Sequence, residues 1–184
     1  LALTYFGLMI GLYALQSWTP QLVKSLSSLY SNSMIGLLVT IPNLVGLAAM
    51  IIVSRNSDRK LERRYHVAIP AIVAAAALAL LGATRSPLYS VTLLSLAAAG
   101  IYSLLGPFWT LPGGFLTGFS AAAGIALINS VGNLGGFAGP YMIGAIAMKT
   151  GNLYAGLATA GFALFMAAVL VLLLPRKAQA LALD

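Results

Sequence analysis

Ser54-Arg55-Asn56-Ser57-Asp58-Arg59-Lys60-Leu61-Glu62-Arg63-Arg64-Tyr65-His66 holds seven of the chain's thirteen charged residues (10 Lys/Arg plus 3 Asp/Glu), and it stands between two apolar runs. No charge occurs between Lys24 and Arg55 on one side, or between Arg64 and Arg85 on the other. Each flanking run is long enough for a helix to cross a bilayer, which needs roughly 20 apolar residues. The whole composition agrees. Of 184 residues, 60% are hydrophobic and 7% charged, with mean hydropathy +0.97. A soluble domain carries about 45–50% apolar and about 25% charged residues, and one of this size must leave much of its surface to water. The expected fold is therefore all-α and polytopic, with the lipid bilayer as its partner. The net charge of +7 would elsewhere suggest nucleic acid. Here the basic residues sit in short connections between apolar runs, which excludes nucleic acid as a partner.

Charges, prolines and glycine clusters divide the chain into six expected spans: 2–23, 34–54, 67–84, 88–111, 121–148 and 153–174. The longest uncharged stretch, Ser86 to Met148, is too long for one crossing, and Pro112-Gly113-Gly114 with Gly118 turns it near its middle. Lys and Arg mark cytoplasmic loops. Arg55, Arg59, Lys60, Arg63 and Arg64, together with Arg176 and Lys177, outnumber Lys24, Arg85 and Lys149 on the opposite face. The 54–66 loop and the C-terminus are thus expected on the cytoplasmic side of a plasma membrane. The chain opens at Leu1 inside an apolar run, as a fragment of a longer protein would. It has no cysteine, which removes disulfides and thiol chemistry.

No Asp, Glu, Lys, Arg or His lies within a span, so proton or charge relays must come from elsewhere. Small and polar residues nevertheless fall on single helix faces. These are Ser95, Ala99, Tyr102, Gly106 and Trp109 in the fourth span, and Asn129, Gly132, Asn133, Gly136 and Pro140 in the fifth. Gly36, Thr40 and Asn43 share a face in the second. The first span offers Gly7 and Gly11, then Tyr13, Gln16, Trp18 and Pro20. One reading is close helix packing with interhelical hydrogen bonds. The other is a cavity wall whose amides and aromatic faces meet a polar ligand. Tyr13, Gln16, Tyr102, Trp109, Asn129 and Asn133 are the candidate substrate-binding residues, while Trp18 reads as an interfacial anchor. Trp18 and Trp109 lie 91 residues apart, and Asn43 and Asn133 lie 90 apart. That faint repeat is compatible with two inverted three-span units.

The 54–66 segment resembles the signature loop of major facilitator transporters, in the copy between the eighth and ninth helices. Gly36-Leu37-Leu38-Val39-Thr40-Ile41-Pro42-Asn43 resembles the eighth helix of the anion:cation symporter branch. Phe108-Trp109-Thr110-Leu111-Pro112 and the run from Gly124 to Tyr141 resemble its tenth and eleventh helices. The resemblance implies the C-terminal six-helix bundle of a twelve-helix fold, with the N-terminal six-helix half absent from this chain. It further implies uptake of a small organic anion coupled to H⁺ or Na⁺ by alternating access, in a bacterial inner membrane. Trp109 and Asn129 would face the central cavity, and the coupling charges would lie in the other half. Asp58, Arg59, Arg63 and Arg64 would form the gating loop, the Asp capping or salt-bridging a helix end. The family's loop carries glycine four places before the Asp and three after it. Ser54 and Leu61 stand there, so looser helix contact is expected at both points. Asn43 replaces a more usual aromatic, read as a difference in substrate. His66 reads as an interfacial residue. No cofactor and no metal are expected. Another class of reading is a complete six-helix protein that acts as a homodimer or structural subunit. An intramembrane enzyme is disfavoured, because the spans hold no acid, His or Cys to activate a nucleophile.

Overall fold

A computed structural model describes residues 1–26, 30–83, 86–116 and 118–175, so Arg85, Arg176 and Lys177 lie outside the described residues. All regular structure among the described residues is helical. It comprises α1 (Ala2–Leu26), α2 (Asn32–Lys60), α3 (Arg64–Leu80), α4 (Pro87–Ser103), α5 (Leu105–Thr110), α6 (Gly118–Thr150) and α7 (Leu153–Leu172), with short 3-10 turns at Leu81–Ala83 and Pro112–Gly114. α4 and α5 form one crossing broken at Leu104. The cause is Pro107, which has no N–H to give the Ser103 carbonyl and disfavours a helical residue before it.

Five of the six long rods are both long and apolar enough to cross a membrane: α2, α3 through Ala83, α4–α5 through Gly114, α6 from Ser120, and α7. The expected six becomes five by this measure. α1 has the length, at 25 residues, but Gln16, Ser17, Thr19, Pro20 and Gln21 dilute its C-terminal part. It is no outlier in packing, since it lies against α6, α7 and α4 and buries Leu8, Met9, Ala14 and Leu22.

Glycines set the distances between rods. α1 and α6 run parallel, with Gly135 against the Phe6 carbonyl and Gly139 against Ile10; a Cβ built on Gly139 would stand 3.0 Å from the Ile10 carbonyl oxygen. α2 and α4–α5 form a second parallel pair through Gly46 at Ala98 and Tyr102, and Gly106 at Ser54. The Gly7–Gly11 pair of α1 takes α7, at Ala163 and Leu164. In lipid there is little hydrophobic force between helices, so this backbone proximity, with its dispersion contacts, is what holds the rods together. Trp18 is also drawn inward. It lies half-buried against Gly144, with its Nε1 buried and without a hydrogen-bond partner.

The polar 54–66 segment is mostly helix. α2 continues through Lys60 and α3 begins at Arg64, which leaves Leu61, Glu62 and Arg63 between them. Nothing in Ser54–Lys60 breaks a helix, and Arg59 and Lys60 meet the negative end of the α2 dipole. α2 closes with a paired cap: Leu61 N–H donates to the Asp58 carbonyl at 3.4 Å and Glu62 N–H to the Ser57 carbonyl at 3.3 Å. Leu61 sits at φ 51°, the left-handed conformation that this cap demands and glycine adopts freely. The missing glycine at this place therefore concerns helix termination and not helix contact. At Ser54 the contact is not loosened either, because Gly106 on the facing helix supplies the missing space. The Glu62 carboxylate accepts from the N–H groups of Tyr65 at 2.9 Å and His66 at 3.2 Å, and lies 2.8 Å from His66 Nδ1. Burial works to raise the Glu62 pKa, but the Tyr65 N–H and the His66 contacts outweigh it and hold the carboxyl below its usual range.

Two outcomes follow from these caps. Leu61→Gly relieves a left-handed side chain and should stabilise the protein by about 0.5–1 kcal/mol, after the extra freedom of glycine in the unfolded chain is subtracted; thermal unfolding in detergent reads it, and an unchanged or lowered midpoint contradicts it. Glu62→Ala should cost about 1 kcal/mol by baring the first α3 amides. Because the Glu62 pKa is depressed on folding, its contribution is present above the ordinary carboxylate pKa and is lost as pH falls through the lowered value. The gap between wild type and Glu62→Ala should accordingly close in acid.

Candidate functional site

Gln16 of α1, Asn43 of α2 and Tyr102 of α4 meet at one node. The Tyr102 hydroxyl donates to Asn43 Oδ1 at 2.7 Å, and Gln16 lines the same hollow beside them. Asn43 Nδ2 donates to the Val39 carbonyl at 2.9 Å, one turn back, which fixes the amide on its own helix. The Tyr102 ring reaches this place because Gly46 of α2 has no side chain there; a Cβ on Gly46 would fall in the ring. The node borders a hollow of about 130 Å³ that also touches Leu15, Thr19, Val39 and Pro42. The sequence pattern offers Gln16 and Tyr102 as candidates and leaves Asn43 among the face-sharing polar residues, whereas the structure brings all three to the wall of one hollow.

Trp109 stands in a second cluster. Its ring meets Tyr5 edge-on at 4.8 Å and Phe108 at 5.5 Å, while Tyr5 and Phe108 stack at 5.1 Å. Tyr5 is 7% exposed. Tyr5 was not among the residues expected at the site. The available signal was its position 11 residues before Gln16, a separation that returns to the same helix face. α6 clamps this side of α1, with Gly132 under the Tyr5 ring and Gly136 under Tyr13. Tyr13 thus serves the α1–α6 contact while remaining 36% exposed. Asn129 and Asn133 form a separate exposed pair on α6, in which Asn133 Nδ2 donates to the Asn129 carbonyl at 2.9 Å and to its Oδ1 at 2.8 Å. One amide is spent on orienting the other.

At the charged end, Arg63 Nη1 meets Asp58 Oδ1 at 2.5 Å and the Ser57 hydroxyl at 3.0 Å, and that hydroxyl donates to the Glu62 carbonyl at 2.6 Å. Arg64 reaches across the bundle and donates to the last carbonyls of α7, Val171 and Leu172. A guanidinium there meets the negative end of the α7 dipole. Glu62, and not Asp58, meets the start of α3. Asp58 lies near the C-terminal end of α2, where the dipole sign is unfavourable, and is neutralised by Arg63. Arg55 and Arg59 differ from these: both are exposed and line a hollow of about 380 Å³ on the outer side of α2. His66 Nε2 lies 3.0 Å from Asn56 Nδ2, which ties the α3 start to the α2 end.

Comparison with known proteins matches the chain to membrane transporters. It is 43% identical over 157 residues to a quinolone resistance transporter of Acinetobacter baumannii, covering 85% of this chain and 36% of that protein. It is 41% identical over 177 residues to a putative tartrate transporter of Agrobacterium vitis, covering 96% and 39%. To the putative metabolite transport protein NicT of Pseudomonas putida it is 34% identical over 178 residues, covering 94% and 39%. The chain spans well under half the length of these curated relatives. No family profile matches it, and no solved structure matches it. Similarity of this strength along nearly the whole chain, to proteins named as transporters and not as enzymes, joins the bundle's packing and its charged helix connection in one conclusion: the chain belongs to the major facilitator transporters.

Proposed function

We propose that the chain is the C-terminal six-helix bundle of a twelve-helix secondary transporter, which moves a small organic anion by alternating access coupled to H⁺ or Na⁺. The observation that carries this reading is the neutral polar node of Gln16, Asn43 and Tyr102 at a hollow between three helices whose spans contain no Asp, Glu, Lys, Arg or His. Such a wall can orient the uncharged part of a substrate, while the carboxylate and the coupling ion require charges from the N-terminal half. The printed names of two relatives, tartrate transporter and NicT, agree with a small metabolite as cargo.

α1 is the sixth crossing on this reading, with its polar residues turned to the substrate path. The packing supports an inverted repeat. Exchange of α1, α2 and α3 with α4–α5, α6 and α7 turns the α1–α6 pair into α4–α2, turns α3–α4 into α7–α1, and leaves α3–α7 in place. α6–α7 is closer than its counterpart α2–α3, which is the main departure. The N-terminal half would cover α2 and α6, whose exposed Thr40, Asn129 and Asn133 are poorly suited to lipid. The charged end faces the cytoplasm of a bacterial inner membrane. There Asp58, Arg63 and Arg64 hold the bundle's own helix ends together, which leaves Arg59 as the gating contact toward the other half. A second reading, export of a drug-like compound, is favoured by the quinolone-resistance relative; the direction of transport separates the two.

The test is uptake in the full-length protein. Trp109→Ala and Asn129→Ala should each lower organic-acid uptake by about tenfold, the effect of losing about 1.4 kcal/mol of substrate interaction, with surface expression retained. Normal uptake by both variants would contradict these two residues as cavity contacts. Arg59→Ala should raise passive leak of substrate more than Arg64→Ala does at equal expression, and the reverse order would contradict the division of roles at the gate.

A further inference from the structure

We propose that Asn43 is a specificity residue that reads a hydroxyl group on the substrate, with Tyr102 holding it in position. The proposal rests on the organic-anion reading above and narrows it to hydroxy acids. An asparagine side chain offers two N–H donors and two acceptor sites. Val39 takes one donor and Tyr102 fills one acceptor site, so one N–H and one lone pair remain at the wall of the hollow. A hydroxyl group donates and accepts at once, and satisfies both.

Competing chemistries fit worse. A carboxylate in the hollow would find no cation, because its lining is neutral: Gln16, Thr19, Asn43 and Tyr102 supply the polar atoms, and Leu15 and Pro42 are among the apolar ones. An unsubstituted methylene or ring carbon would strand the remaining amide groups, which is how sites built around a hydroxyl reject analogues that lack it. The hollow, at about 130 Å³, has room for a hydroxyl-bearing carbon at its wall. Thr19 does not compete as a donor, since its hydroxyl proton is given to the Leu15 carbonyl at 2.5 Å. Asn43 is also held for the task. Its bonds to α2 and α4 select one orientation of the amide.

The test compares tartrate with succinate, which differ only in two hydroxyl groups, as substrates of the full-length protein in proteoliposomes. Wild type should prefer tartrate by at least about tenfold in kcat/KM. Asn43→Leu, of similar size but without hydrogen-bonding groups, should bring the ratio close to one by slowing tartrate far more than succinate. Tyr102→Phe, which releases the amide from one tether, should lower the ratio in the same direction. Asn43→Ser serves if the leucine variant does not reach the membrane, and should retain a reduced preference. An unchanged ratio in the Asn43 variants overturns the proposal, as does an equal fall for both acids, which would mean a structural role alone. Equal transport of both acids by wild type overturns the hydroxyl reading and leaves organic-anion transport standing; transport of neither overturns both.

Discussion

Close backbone approach at glycine is the constraint on which the bundle depends. α6 can lie along α1 only because Gly132, Gly135, Gly136 and Gly139 present no side chains to Tyr5, Phe6, Tyr13 and Ile10. α2 can lie along α4 only because Gly46 admits the Tyr102 ring. These two parallel pairs bring the polar groups of three helices to one place. An alanine at Gly46 would displace Tyr102 and take the hydrogen bond to Asn43 with it. Packing and recognition are therefore not alternatives here, as the sequence had left them. The glycines do the packing, and the site is what the packing places side by side.

The charged end works by a different physical rule. Three helix ends meet there, and each receives the sign it needs: Glu62 on the α3 amides, Arg64 on the α7 carbonyls, and Arg59 with Lys60 in the last turn of α2. The Asp58–Arg63 pair spans the three-residue connection between α2 and α3. The result is a compact end that moves with its own bundle. On the proposed reading, rocking between halves would leave such an end intact.

Much of this was legible in the residues, because helix periodicity and bilayer length leave few alternatives for a chain so apolar. The turn at Pro112-Gly113-Gly114, the small-residue stripes and the importance of the 54–66 segment all follow from residue type and spacing. Other features depend on partners that lie far away in sequence. Hydropathy ends near Ser54, so 54–60 read as loop, although the backbone ladder continues to Lys60. Asp58 read as capping or salt-bridging a neighbouring helix end; it forms the salt bridge, to Arg63 at the α3 start, while the cap itself goes to Glu62. Ser54 looked too large until Gly106 appeared opposite it. Tyr5 stood outside the expected site because its partners, Phe108 and Trp109, are more than 100 residues away. α1 looked like an ordinary crossing, and its polar C-terminal part acquires meaning only when Gln16 is seen against Tyr102.

The central claim is coupled transport, and accumulation against a gradient tests it most directly. The full-length protein in proteoliposomes should concentrate labelled tartrate inside above the external level when an inward proton or sodium gradient is imposed, and the accumulated pool should leave when the gradient is collapsed. Equilibration that never exceeds the external level, and that is indifferent to both gradients, would contradict a secondary active transporter of organic anions.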